Sequence, residues 1–182
     1  MSGSARVGLE LGSEGGGEVV AVSTDRLTSV VLTGESLTRL SPILEADRAQ
    51  AVSDLEVENS FALCPSGERV PPAGPYILHL SVQEGRLVFE VRDQLDAPIT
   101  TLGLALGPFR GLIKDYQMLV DSHIMAVEEG RAERIQAIDM GRRGLHNEGA
   151  ALLQARLANK AVIDQETARR LFTLVCVLHT RI

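Results

Sequence analysis

Between Tyr76 and Leu106 the apolar residues of this chain fall on alternate positions, and beyond Gly107-Pro108 they fall three and four apart. A period of two fits a strand with one buried face, and a period near 3.6 fits an amphipathic helix. The chain must therefore build a sheet and then a helical layer, and each must bury its apolar face against the other. On the sheet side, Tyr76, Leu78, Leu80 and Val82 share a face, Glu84-Gly85 makes a turn, and Leu87, Phe89 and Val91 repeat the alternation. A second turn from Asp93 to Pro98 leads to Thr100, Leu102, Leu104 and Leu106. This pattern predicts an antiparallel meander. The opposite face mixes Ile77, His79, Ser81, Val88, Glu90, Arg92 and Thr101, which predicts partial exposure.

The flanking segments complete the outline. Leu27 to Leu32 reads as a short strand. Ser41-Pro42 marks a helix start, with Ser as N-cap and Pro at the first helical position, and that helix runs to about Asn59. The segment from Pro65 to Pro75 is too rich in Pro and Gly for regular structure. After Pro108, the stripe Phe109, Leu112, Ile113, Tyr116, Val120, His123, Ile124 and Val127 predicts a helix that breaks at Glu128-Glu129-Gly130. A second helix spans about Arg131 to Asn159. Asp164 caps a third, Gln165 to His179, which is apolar on nearly all sides from Leu171 to Leu178 and so belongs at the centre. The fold class is α+β: a small antiparallel β-sheet, a three-stranded meander plus an N-terminal strand, packed against a layer of three to four α-helices. Residues 1–24, with Gly15-Gly16-Gly17, predict a flexible tail. Residues 25–182 predict a single domain.

Composition narrows the function classes. The net charge of −6, from 18 basic and 24 acidic residues spread along the chain, argues against nucleic acid as a partner. Two Tyr, four Phe and no Trp leave few stacking platforms. Cys64 and Cys176 match no metal or redox spacing, and a free thiol in Leu174-Val175-Cys176-Val177-Leu178 behaves as a small buried hydrophobe. No run of about 18 apolar residues occurs, so no membrane span is expected. The start of the chain lacks a signal-peptide pattern, and the expected location is cytoplasmic.

The string Ile138-Asp139-Met140-Gly141-Arg142-Arg143-Gly144-Leu145-His146-Asn147-Glu148-Gly149 resembles the signature of an uncharacterised protein family of alphaproteobacteria, known by the placeholder number two hundred and sixty-two. Gly74-Pro75-Tyr76 onward to Asp93, Pro108-Phe109-Arg110 with Lys114-Asp115-Tyr116, and Thr167 to His179 extend the resemblance over most of the chain after about residue 25. It implies no activity, cofactor or catalytic residue. The chain departs from the family pattern at Val120-Asp121-Ser122-His123, which replaces a more aromatic stretch, so no family-wide role attaches to His123.

The unusual chemistry lies in the same string. On a wheel of 100° per residue, Ile135, Ile138, Leu145, Leu152, Leu153 and Leu157 define an apolar arc. Asp139, Arg142 and His146 fall inside it, Arg143 lies at its edge, and Asn147 and Glu148 point away. Spacings of three and four set Asp139 beside Arg142 and Arg142 beside His146. Inward charge is costly unless paired, so the first expectation is an internal network in which Asp139 neutralises Arg142. The alternative is a site where Arg142, Arg143 and His146 receive a small anion, with His146 as general acid or base oriented by Asp139. Gly141, Gly144 and Gly149 each cost roughly 1 kcal/mol relative to Ala inside a helix. Either another group approaches closely there or the helix breaks, with Asn147 as a new N-cap. The unbroken apolar phase favours close approach.

Other constellations carry less. His79, His123, His146 and His179 show no ligand spacing on one helix, so neither a metal site nor a cofactor is expected. Cys64 lacks a local activating group. Arg169 and Arg170 oppose the dipole of their helix start and need acidic partners. Two functions remain: a non-enzymatic binding or assembly module, forming a homo-oligomer or holding a small anionic ligand, and an enzyme acting on a phosphorylated or carboxylated metabolite.

Overall fold

The computed structural model describes residues 23–179. Residues 1–22 of the expected tail lie outside them. Strand β1 (Leu27–Thr33) is followed by a short 3-10 turn and helix α1 (Pro42–Val57), whose N-cap Ser41 accepts from the Leu44 amide at 3.4 Å. A three-residue strand β2 (Phe61–Leu63) precedes the Pro-rich loop. Strands β3 (Tyr76–Gln83), β4 (Arg86–Arg92) and β5 (Pro98–Ala105) form the meander. Helices α2 (Arg110–Glu128) and α3 (Ala132–Leu157), strand β6 (Ala161–Ile163) and helix α4 (Gln165–Leu178) complete the order.

The meander pairs in the register its alternation requires, with Leu80 opposite Phe89 and Phe89 opposite Leu102. Glu84 and Gly85 both have positive φ (50° and 72°), the backbone of a two-residue hairpin whose twist suits the strands. The α+β class stands, and one detail of the sheet changes. Strand β1 joins β3 in parallel, giving a mixed sheet of order β1-β3-β4-β5. Parallel neighbours need a crossover, and α1 supplies it. A second, two-stranded sheet pairs β2 with β6, antiparallel, Phe61 opposite Ile163. Three-residue strands show no readable alternation, which is why the sequence hid them.

The inner sheet face, Leu78, Leu80, Leu87, Phe89 and Val91, is fully buried against the helical layer. Helix α4 is the central element: α1, α2, α3 and β1 all pack on it, and Leu171, Phe172, Leu174, Val175, Cys176 and Val177 are wholly inaccessible. Its N-cap Asp164 accepts from the Thr167 amide at 2.8 Å. Helix α2 ends where Gly130 turns at φ 67°. Its apolar stripe is buried through Ile113, Tyr116 and Val120, but Ile124 and Val127 are exposed, because the stripe outruns the partners that cover it.

Helix α3 is unbroken through its three glycines, so Asn147 caps nothing. The glycines have different reasons. A Cβ on Gly149 would lie 2.5 Å from three ring atoms of Phe172, so α3 and α4 meet there face to face. A Cβ on Gly144 would meet nothing within 4 Å. Gly149→Ala should therefore destabilise the protein by about 1–3 kcal/mol through overpacking, whereas Gly144→Ala should stabilise it by about 0.5–1 kcal/mol. Urea unfolding of the two variants checks this; equal effects of like sign would contradict the packing described.

Candidate functional site

The polar cluster forms around a carboxylate that lies on the apolar stripe of α1. Asp47 sits three residues after buried Leu44 and four before buried Ala51, so it faces inward with them. Tyr116 occupies the matching place on α2, three after Ile113 and four before Val120. The Tyr116 hydroxyl donates to Asp47 Oδ2, and Arg142 Nη2 of α3 donates to the same oxygen at 2.7 Å. The guanidinium lies 5.8 Å from the centre of the Tyr116 ring. One carboxylate thus ties three helices together.

His146 completes the cluster, one turn along α3. Its Nδ1 is 2.7 Å from the Arg142 carbonyl oxygen, which can only accept, so the proton sits on Nδ1. The ring stands edge-on between Tyr116 (5.7 Å, 81°) and Phe172 (6.1 Å, 86°). Burial lowers its pKa below the ordinary 6.5, and the charges of Arg142 and Arg169 add to that, so the imidazole is neutral in the fold. Burial raises the Tyr116 pKa, and the Asp47 charge pushes further in the same direction. Burial opposes the charge on Arg142, but Asp47 outweighs it and the guanidinium holds its proton more tightly. The Cys176 thiol, fully buried, is pushed well up.

The sequence-predicted residues are placed as follows. Arg142 and His146 face inward as expected. Asp139 does not join them: it is exposed, and Asp47 takes its place as the partner of Arg142. The reason is length. At 1.5 Å per residue the 26-residue α3 is about 39 Å long and the 14-residue α4 about 21 Å, so the first half of α3 overhangs its neighbour. Asp139 is on the right side of the helix but beyond the elements that would cover it. Arg143 is exposed, whereas Arg142 is half-buried and bonded to Asp47. Asp47 and Tyr116 were missed as members of the cluster, although the (i, i+3) and (i, i+4) spacing to buried neighbours marks both.

Within the cluster Asp47 meets both the charge of Arg142 and the hydroxyl of Tyr116. His146 borders a shallow depression of about 240 Å³ with Asp54, Glu166, Arg169, Arg170 and Thr173. Each of its cations has an acid beside it, and Arg169 Nε is buried with no acceptor among the described residues. Arg169 pairs with Glu166 at 3.3 Å, and Arg170 approaches Asp54 at 3.9 Å and donates to the Glu58 carbonyl at 3.2 Å. These are the acidic partners the helix start requires. His79 pairs with Asp96 at 3.2 Å on the other face of the sheet, far along the chain from the cluster. Among the described residues no group of three His, Cys, Asp or Glu side chains could hold a metal ion, and no helix is long and apolar enough to cross a membrane.

Two measurements follow from this geometry. Arg142→Ala strands Asp47 beside a desolvated Tyr116, and should cost about 3 kcal/mol in urea unfolding, the low end for a broken buried pair because both side chains keep 18–19% exposure. A near-native midpoint would mean that the pair does not hold the helices. For His146, the unfolded chain binds more protons than the folded one as pH falls through 6.5, so its contribution is present above that value and is lost below it. Stability should drop between about pH 7 and 5, and His146→Asn should flatten part of that drop. An unchanged profile in the variant would show that His146 is not the group responsible.

Comparison with known proteins adds a family. The sequence pattern of the Uncharacterised protein family (UPF0262) matches residues 24–181. The chain is 63% identical over 166 residues to a UPF0262 protein of Granulibacter bethesdensis, covering 90% of this chain and 94% of that one. It is 60% identical over 156 residues to one of Acidiphilium cryptum (86% and 93%) and 47% identical over 158 residues to one of Rhodospirillum rubrum (87% and 94%). No solved structure matches. The chain belongs to the uncharacterised UPF0262 family, to which no function is assigned.

Proposed function

We propose that the protein is a cytoplasmic, non-enzymatic binding or assembly module whose inward polar cluster is a structural tie. The observation that carries this reading is the shared oxygen: Asp47 Oδ2 accepts from both the Tyr116 hydroxyl and Arg142 Nη2, so the inward charge of Arg142 is met by a carboxylate of the same fold. The enzymatic alternative needs Asp139 to orient His146 and Arg142 with Arg143 to clamp an anion. Asp139 and Arg143 are exposed on α3, and Arg142 is committed to Asp47. Cys64 and Cys176 are in no disulfide among the described residues, which agrees with a reducing compartment. Residues 25–182 form one functional unit in this reading, and the residues before them are dispensable for its folding.

Assembly is proposed as a homo-oligomer through the groove between α2 and α3. Met118, Leu119, Gly141 and Gly144 line it, and Met125 continues the Met118 stripe seven residues on. Met118 and Met125 are 58% and 51% exposed. Gly144 has open space where a Cβ would stand, so the backbone of a partner helix can approach closely there. Sedimentation equilibrium should give a multiple of the 19.6 kDa chain mass, and Met118→Glu should return it toward one chain with little change in melting temperature. A single-chain mass for the unaltered protein at the highest attainable concentration would overturn assembly.

A further inference from the structure

A cleft lies away from the polar cluster, between the edge strand β5 and the loop that follows β2. Its volume is about 590 Å³, within the range of small-molecule sites. Leu63, Ile99 and Leu102 give it an apolar wall, and the strand contributes Thr101. Its two charged lining residues are Arg69 and Lys160, and no Asp or Glu lines it. Among the described residues neither cation has a salt-bridge partner, in contrast to those beside His146. In a chain of net charge −6, the lining of this cleft carries two cations and no carboxylate.

The backbone holds both cations in place. Ser66 and Arg69 exchange amide-to-carbonyl bonds of 3.1 Å across a tight turn in which Gly67 takes φ 60°. Lys160 donates its amide to the Leu157 carbonyl at 2.7 Å and accepts from the Cys64 amide at 2.9 Å. The Cys64–Lys160 bond extends the β2–β6 pair, and Lys160 and the turn that carries Arg69 line the same cleft as residues of β5. The order of their backbones reduces the entropy that a ligand would otherwise have to remove. The other wall is the outer edge of β5, which pairs with β4 alone.

We propose that this cleft binds a small organic anion, a carboxylate or phosphate group joined to a short apolar body, with Arg69 and Lys160 holding the anionic head and Leu63, Ile99 and Leu102 covering the body. The proposal rests on the reading of the protein as a binding module and locates its ligand in a cleft that shares no lining residue with the depression beside His146. Binding at the cleft and the Arg142→Ala melting experiment fail separately: loss of the first leaves the structural tie intact.

The test is a titration of the full chain with hexanoate and with hexyl phosphate, followed by amide NMR, with hexanol and inorganic phosphate as the two half-probes. One or both amphiphilic anions should shift the amides of Arg69, Thr101 and Lys160, and whichever binds more tightly identifies the head group. Hexanol and inorganic phosphate should each bind at least roughly tenfold more weakly. The double variant R69Q/K160Q, altered only at exposed side chains, should melt as the parent does and lose about tenfold or more in affinity, while Arg143→Gln should bind as the parent does. Absence of shifts with both anions, equal binding of hexanol, unchanged affinity in the double variant, or shifts centred on Arg143 and His146 would each overturn the proposal.

Discussion

Helix α4 has apolar side chains on every side from Leu171 to Leu178, and each requires a neighbour. Burying a side chain such as Leu or Phe is worth about 1.5–3 kcal/mol, so leaving any one side uncovered would forfeit several such terms. The molecule is arranged to prevent that: α1, α2, α3 and β1 surround the helix. The approach of α3 is the tightest, since Gly149 exists opposite Phe172 only because no Cβ fits there. That contact fixes the position of α3 along α4, and with it the position of Arg142 and His146. An apolar contact thus places His146 three residues away and Arg142 seven residues away.

The cluster then acts on what the core leaves undetermined. Apolar packing is non-directional and tolerates sliding of one helix past another, whereas a carboxylate oxygen with two donors accepts only one arrangement. Asp47 reaches across from α1 to α2 and α3 and defines their register. As a source of net stability such a pair is weak, because removing two charges from water offsets most of their attraction. Arg142 Nε, buried with no acceptor among the described residues, adds to the cost. The arrangement is better understood as specifying one packing among several of similar energy.

Much of the fold was legible because its period is carried by many residues. The meander face, the start of α1 at Ser41-Pro42, the cap at Asp164 and the central place of α4 each rest on a local physical rule that the surroundings do not override. The parallel pairing of β1 was not legible, since alternation gives a strand its faces and not its neighbour. The site was half legible for a related reason. A helical wheel reports the angle of Asp139 correctly, yet carries no information on how far along the axis α4 extends. Angle is local, whereas coverage depends on the relative lengths of elements distant in sequence. Asp47 and Tyr116 were readable on the same wheel logic, but a single polar residue within an apolar stripe has no visible partner until three helices are brought together.

The charges of the molecule divide according to what the fold demands of them. A cation inside the helical layer must have its anion built beside it, because an unpaired buried charge would unfold the site; Arg142 can sit only where Asp47 sits. A cation on a solvated loop is under no such demand, for water satisfies it, and folding is indifferent to whether a carboxylate stands nearby. Arg69 and Lys160 are of the second kind. Their presence in one cleft lining that holds no carboxylate is therefore not something that stability requires, in a chain where acids outnumber bases by 24 to 18. Paired charge in the interior fixes how the helices of this protein sit, and at the β5 cleft two cations with no carboxylate in the lining leave charge that a ligand can answer.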